Sequence, residues 1–159
     1  MVKIALASQT PDFADPARVL SGMNQVFRGK IEEGFITASY VLFDAEAREL
    51  RYASAGHQPA LLWRRSGGSL QECSESRIIL GRFPQARDTN TFVPLVPGDR
   101  ILVCTDGILE AANGAGEFFG DTQLKPLIAS HAGLGPDASR ICFSRGRPHG
   151  PARPRWTTT

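Results

Sequence analysis

The chain has no long hydrophobic run and few cysteines, and each shortage excludes a class of protein. No stretch approaches the roughly 18 apolar residues of a membrane span, and residues 1–9 lack the length and cleavage pattern of a signal peptide. The three cysteines lie far apart without a CxxC spacing, so neither a disulfide framework nor a zinc site is predicted. With 159 residues, 42% of them hydrophobic, the sequence predicts a globular cytoplasmic protein with no membrane partner.

Acidic residues are missing from the C-terminal end. The last 20 residues contain five arginines and no Asp or Glu, whereas the rest of the chain holds 13 basic and 16 acidic groups. Such a segment can bind nucleic acid, but that use calls for interleaved aromatic residues, and Trp156 alone does not supply them. Residues 144–159, rich in proline and without apolar periodicity, are therefore predicted to be a disordered basic tail without a nucleic-acid partner.

Helical patterns occur near both ends of the remaining chain. Asp15 followed by Pro16 is typical of a helix start, and apolar residues then recur at helical spacing, which predicts an amphipathic helix over residues 16–28. Residues 2–7 are also helix-like. Residues 122–131 predict another helix, in which Pro126 either introduces a kink or shifts the start. Residues 138–143 could open a further helix after a loop.

Strand patterns fill the middle of the chain. Residues 35–43, 49–55 and 60–64 are rich in β-branched and aromatic residues and are joined by short turns, which predicts an antiparallel meander. Residues 92–96 predict a further strand, and Pro94 assigns it to a sheet edge or a bulge.

Residues 100–113, RILVCTDGILEAAN, combine a strand, an acid and a helix. Residues 101–104 predict a buried strand that Thr105 ends, so Asp106 is presented at the rim of a sheet. Gly107 would allow a positive φ and the close approach of a ligand, and residues 108–112 resume as a helical turn. The alternative is that Asp106 only caps this helix.

Three blocks in one order carry a family resemblance: FITASYVLFD, YASAGHQPALL and PGDRILVCTDGILEAANGAGEFFG. They resemble the SpoIIE-type serine phosphatases of the metal-dependent (PPM) phosphatase superfamily, in which YANAGHxPxLL and PGDRLLLYTDGVTEARNxxGExFG are typical. Ser54 stands where an Asn is common, and Ile79 where a Pro is often found. The resemblance implies an α+β fold, an incomplete αββα sandwich of antiparallel sheets flanked by helices, with residues 1–143 as a partial phosphatase domain.

The resemblance also implies a chemistry. The family hydrolyses phosphoserine or phosphothreonine with Mn²⁺ or Mg²⁺ held by carboxylates. Asp106 corresponds to a metal ligand with a catalytic role and Gly107 to its motif neighbour in the metal site. His57 corresponds to a catalytic residue that either supports the metal ligands or faces the phosphate. The alternative for His57 is an exposed loop imidazole without a task. The implied partner is a phosphoserine regulatory protein of the anti-sigma-factor antagonist type, with a sensory domain upstream.

Two family segments are absent from the sequence. The family draws further metal ligands from an Asp-x-Gly-His-Gly-like segment and a C-terminal Asp-Asp-x-Thr segment, and the chain contains neither. We therefore expect an inactive fragment that lacks its N-terminal part, with a non-catalytic partner-binding remnant of the domain as the alternative. The codons of Trp156 and the following threonines can spell Asp-Asp-Asp in a shifted frame, so we also expect a frameshift near residue 144.

Overall fold

A computed structural model describes residues 2–73, 79–83, 89–113 and 115–131. The chain divides into two compact units, the first formed by residues 1–60 and 72–97 and the second by residues 61–71 and 98–159. The predicted loop at 133–137, the helix at 138–143 and the tail at 144–159 lie outside the described residues. Among the described helices, none combines the length and the apolar character needed to cross a membrane.

The elements alternate between helices and short strands. In chain order they are α1 (Val2–Ala7), a 3₁₀ turn (Thr10–Asp12), α2 (Pro16–Phe27), β1 (Ala38–Asp44), β2 (Glu49–Ala55), β3 (Ala60–Arg64), β4 (Ser69–Cys73), β5 (Thr91–Pro94), β6 (Arg100–Leu102), α3 (Asp106–Leu109), α4 (Phe119–Thr122) and α5 (Leu124–His131). They form two three-stranded sheets, ordered β1-β2-β5 and β4-β3-β6. The α+β class is confirmed.

Helix α2 begins and ends as its sequence predicts. The Asp15 side chain accepts a hydrogen bond from the Arg18 amide at 3.1 Å, and Pro16 occupies the first helical position. Because Val19 and Phe27 lie on the apolar stripe, both are fully buried. They form a core cluster with small residues of β2, including Ala53, so the helix covers one face of the first sheet.

The first sheet has β2 at its centre. β1 and β2 pair antiparallel from Ala38 opposite Ala55 to Asp44 opposite Glu49, and β5 pairs with the other side of β2. Pro94 ends β5, which lies at the edge of this sheet as the proline predicts.

The predicted three-stranded meander is wrong beyond its first hairpin. β3 does not pair with β2, whose second neighbour is β5, and instead forms the centre of the other sheet. The intervening residues explain the departure: Gly56 adopts a φ of 68°, and Pro59 has no amide hydrogen to donate to a ladder. The chain therefore stops pairing with the first sheet after β2 and enters the second sheet at β3.

The second sheet pairs β3 with β6 antiparallel, from Leu61 opposite Leu102 to Trp63 opposite Arg100. The prediction of a buried strand over residues 101–104 is wrong in its extent and its burial. β6 stops at Leu102, its residues are half-buried, and Val103 is 47% exposed. The physical reason is that β6 lies at the edge of its sheet, with β3 on one side.

The helices of the second unit close a separate apolar cluster. Pro126 is the third residue of α5, so it shifts the helix start to Leu124, one of the two expected outcomes. Leu61, Phe119, Leu124 and Ile128 pack together with Cys104, whose burial raises the pKa of its thiol. This cluster lies next to the turn that carries Asp106.

Candidate functional site

Asp106 is exposed at the start of a short helix. It is the first residue of α3, while Thr105 is the extended N-cap residue and accepts the Ile108 amide through its carbonyl at 3.0 Å. The cap position therefore belongs to Thr105, and the reading of Asp106 as the cap is wrong.

Gly107 does not adopt the positive φ that the sequence suggested. It lies inside α3, because the helix begins at Asp106, two residues earlier than expected. Among the described residues, a Cβ placed on it would come within 4 Å of the Thr105 hydroxyl oxygen alone, at 4.0 Å. None of the described residues therefore crowds this position.

A loop held by one asparagine follows α3. The Asn113 side-chain oxygen accepts the amides of Ala115 at 2.9 Å and Glu117 at 3.0 Å, and its Nδ2 donates to the Glu117 carboxylate at 2.7 Å. The Asn113 amide also donates to the Glu117 carbonyl at 3.1 Å. These bonds bring Ala112 opposite Phe118 in an antiparallel bridge. Asn113 and Glu117 of the family-like block thus hold the backbone of the loop between α3 and α4.

Gly120 brings α4 close to α3. A Cβ at this position would lie 3.0 Å from the Leu109 carbonyl oxygen and 3.1 Å from the Leu109 Cβ. The Phe119 amide donates to the Ala111 carbonyl at 2.8 Å, which ties the start of α4 to the same turn. The close approach favours glycine at this position, since any larger residue would push against Leu109 of α3.

His57 lies in a turn that several contacts hold. The Ser54 hydroxyl donates to the His57 carbonyl at 3.2 Å, and Gly56 forms a parallel bridge with Ala38. The Thr37 hydroxyl lies 3.3 Å from the His57 Nδ1. His57 is half-buried and has a side-chain partner, so it is not an exposed imidazole, and its functional role stays a prediction.

Thr37 is a residue that sequence reasoning missed. It stands just before β1, in a block whose apolar pattern predicts a strand and gives no reason to single out one hydroxyl. Its contact with His57 joins residues 20 positions apart, which no local pattern reveals. His57 belongs to the first unit and Asp106 to the second, and their shared role in one site stays a prediction.

The described residues do not form a complete site for two metal ions. Among them, no three side chains of His, Cys, Asp or Glu are grouped so that they could hold a metal. Asp106 offers one carboxylate, and Gly107 can offer only backbone oxygen. Mn²⁺ and Mg²⁺ need about six ligands, most of them oxygens. The described donor set therefore does not fit a two-metal centre by itself.

Comparison with known sequences identifies relatives. The family model described as Stage II sporulation protein E (SpoIIE) matches residues 1–143. The chain is 29% identical over 133 residues to the phosphoserine phosphatase RsbU of Bacillus subtilis, an alignment that covers 82% of this chain and 39% of RsbU. It is 26% identical over 97 residues to the protein IcfG of Synechocystis, covering 61% of this chain and 15% of IcfG.

Solved structures agree in fold. The SiaA-PP2C domain of Pseudomonas aeruginosa superposes with a TM-score of 0.65 at 28% identity, covering 79% of this chain and 49% of that one. The PP2C phosphatase domain of SpoIIE from Bacillus subtilis gives a TM-score of 0.63 at 15% identity, covering 86% of this chain and 39% of that one, which supports the fold alone. The chain thus spans less than half the length of each of these relatives.

Proposed function

The chain belongs to the SpoIIE family of PPM phosphatase domains, and from this premise we propose that it is part of the catalytic domain of a protein phosphatase. The substrate class is phosphoserine or phosphothreonine on a regulatory protein. RsbU, a phosphoserine phosphatase, is similar over most of the chain, and this supports the substrate class. The domain part would be residues 1–143, followed by a basic tail at 144–159.

The observation that carries this proposal is the exposed position of Asp106 at the start of α3. Asp106 is exposed at the first position of α3, next to Gly107. A metal ligand needs a carboxylate that a cation can reach from solvent. The exposed position of Asp106 satisfies this need, and we propose that it supplies one ligand for Mn²⁺ or Mg²⁺, with Gly107 beside it in the metal site.

His57 would act on the phosphate. A half-buried imidazole that is held at Nδ1 presents its other nitrogen, Nε2, to a ligand. An Nε2–H group can donate a hydrogen bond to a phosphate oxygen, which stabilises negative charge. The regulatory partner would be of the anti-sigma-factor antagonist type, and a sensory domain would act upstream.

We further propose that this chain alone is inactive. The sequence lacks the Asp-x-Gly-His-Gly and Asp-Asp-x-Thr segments, and the described residues do not gather a second set of carboxylates. Activation of water between two ions requires both sets of ligands. A single carboxylate supports at most weak binding of one ion. The alternative is a partner-binding remnant of the domain that has no use for a metal.

Binding of Mn²⁺ separates these possibilities. Water-proton relaxation in a Mn²⁺ titration should show one weak site in the full chain, lost in Asp106→Asn and retained in the control Glu46→Gln, an exposed carboxylate in a turn of the first unit. Equal Mn²⁺ binding by wild type and Asp106→Asn would refute the ligand role. It would favour the partner-binding alternative.

Hydrolysis of p-nitrophenyl phosphate tests inactivity separately. We expect the rate with Mn²⁺ to equal that of buffer for both wild type and Asp106→Asn. A Mn²⁺-dependent rate that Asp106→Asn abolishes would overturn the proposal of inactivity and would strengthen that of phosphatase chemistry.

A further inference from the structure

The histidine turn contains a side-chain contact between two of the family-like blocks, FITASYVLFD and YASAGHQPALL. The Thr37 side-chain oxygen lies 3.3 Å from His57 Nδ1. We propose that Thr37 is a positioning residue for His57, whose hydroxyl donates to Nδ1 and so keeps the proton of the neutral ring on Nε2. The use of that Nε2–H toward a phosphate rests on the proposed function, whereas the contact itself does not.

The backbone on both sides of Thr37 is fixed. Ile36 pairs with Leu80 in an antiparallel bridge, with the Leu80 amide donating to the Ile36 carbonyl at 2.9 Å. On the other side, Ala38 pairs with Gly56 in a parallel bridge. Because both neighbours are paired, the backbone of Thr37 is held just before β1, beside the histidine turn.

The histidine backbone is fixed as well. The Ser54 hydroxyl donates to the His57 carbonyl at 3.2 Å. Gly56 has a φ of 68°, and a Cβ there would lie 2.8 Å from the Ile79 Cγ2, so the turn permits no other residue without a shift. The contact between Thr37 and the ring then acts on the side chain itself, on its orientation and its tautomer.

The chemistry of the two groups determines what the contact does. A neutral imidazole has one nitrogen that donates and one that accepts, and a threonine hydroxyl can donate to the accepting one. When Nδ1 accepts from Thr37, the proton lies on Nε2. The ring then offers a donor to an anionic ligand without first becoming charged. Loss of the hydroxyl removes this preference and releases the ring.

The test is the tautomer of His57 in the full chain. Long-range ¹H–¹⁵N correlation spectra are recorded at a pH where the ring is neutral, with His57→Gln to assign the signals. We expect Nε2–H to dominate in wild type and in Thr37→Ser, and the Nδ1–H fraction to rise several-fold in the nearly isosteric Thr37→Val. Thr37→Ala repeats the deletion of the hydroxyl if valine prevents folding.

The control is Ser54→Ala, which removes a hydrogen bond of the same turn without touching the ring. A tautomer unchanged by Thr37→Val, or a change of the same size in Ser54→Ala, would overturn the positioning role. Neither readout needs phosphatase activity or a metal. Failure of the proposed function therefore shows in the Mn²⁺ titration of Asp106→Asn, and failure of this inference shows in the spectra.

Discussion

Substitution of Gly120 by alanine should destabilise the chain although alanine favours helices. The new Cβ would lie 3.0, 3.1 and 3.2 Å from the carbonyl oxygen, Cβ and Cα of Leu109, so the α3 backbone must shift by a few tenths of an ångström. Overpacking of this kind costs about 1–3 kcal/mol. Alanine recovers about 0.5–1 kcal/mol of helix propensity. The net expectation is a loss of up to about 2.5 kcal/mol in the free energy of unfolding.

Gly107 provides a matched control. It also lies in a four-residue helix, but among the described residues a Cβ there would contact the Thr105 hydroxyl oxygen alone, at 4.0 Å. Gly107→Ala should therefore be neutral or stabilising by up to about 1 kcal/mol. Urea unfolding followed by circular dichroism compares the two variants in the absence of metal. If Gly120→Ala is as stable as Gly107→Ala, the close packing of α4 on α3 is wrong.

Two further predictions concern acids that the fold uses. Asp99→Asn should lower the free energy of unfolding by about 1–3 kcal/mol. The Asp99 carboxylate is only 2% exposed and accepts hydrogen bonds from Arg64 Nη1 and from the Arg65 amide, both at 3.0 Å. An unchanged free energy in urea unfolding would contradict this expectation. The Asn90 side chain donates to Asp15 at 2.7 Å and is the main cause of that carboxyl's lowered pKa. A lowered pKa adds stability above the unfolded-state value of about 3.9, and this is lost as pH falls through the folded-state pKa. The destabilisation by Asn90→Ala should therefore be larger at pH 6 than at pH 2.5, and equal losses at both would exclude this role of the ionised Asp15.

The sequence predicts elements well where the signals are local. Asp15 and Pro16 act within one helical turn, so the predicted start of α2 at Pro16 is correct. Pairing between strands is different, because it depends on residues distant in the chain. Nothing in β2 or β3 alone reveals that β5, some 40 residues away, takes the place beside β2 that the meander assigned to β3.

In the candidate site, too, local patterns predict some features, whereas contacts between distant residues are missed. The exposed position of Asp106 follows from a strand that ends at a polar tripeptide, which is a local pattern. The prediction of a positive φ at Gly107 is wrong, because glycine permits a positive φ without requiring it. Thr37 could not be found, since a hydrogen bond across 20 residues leaves no periodic trace.

The two aspartates of the PGDR–TDG block show how a family motif mixes structure with chemistry. Asp99 is buried and joins the end of β3 to the start of β6 through Arg64 and Arg65. The buried carboxylate and its two arginine partners give Asp99 a structural role, so no metal-binding role is needed to explain why it is there. Asp106 lies on the surface, at a helix position where Thr105 already serves as the cap residue. The metal hypothesis therefore depends on Asp106 and gains nothing from Asp99, although both belong to the same motif.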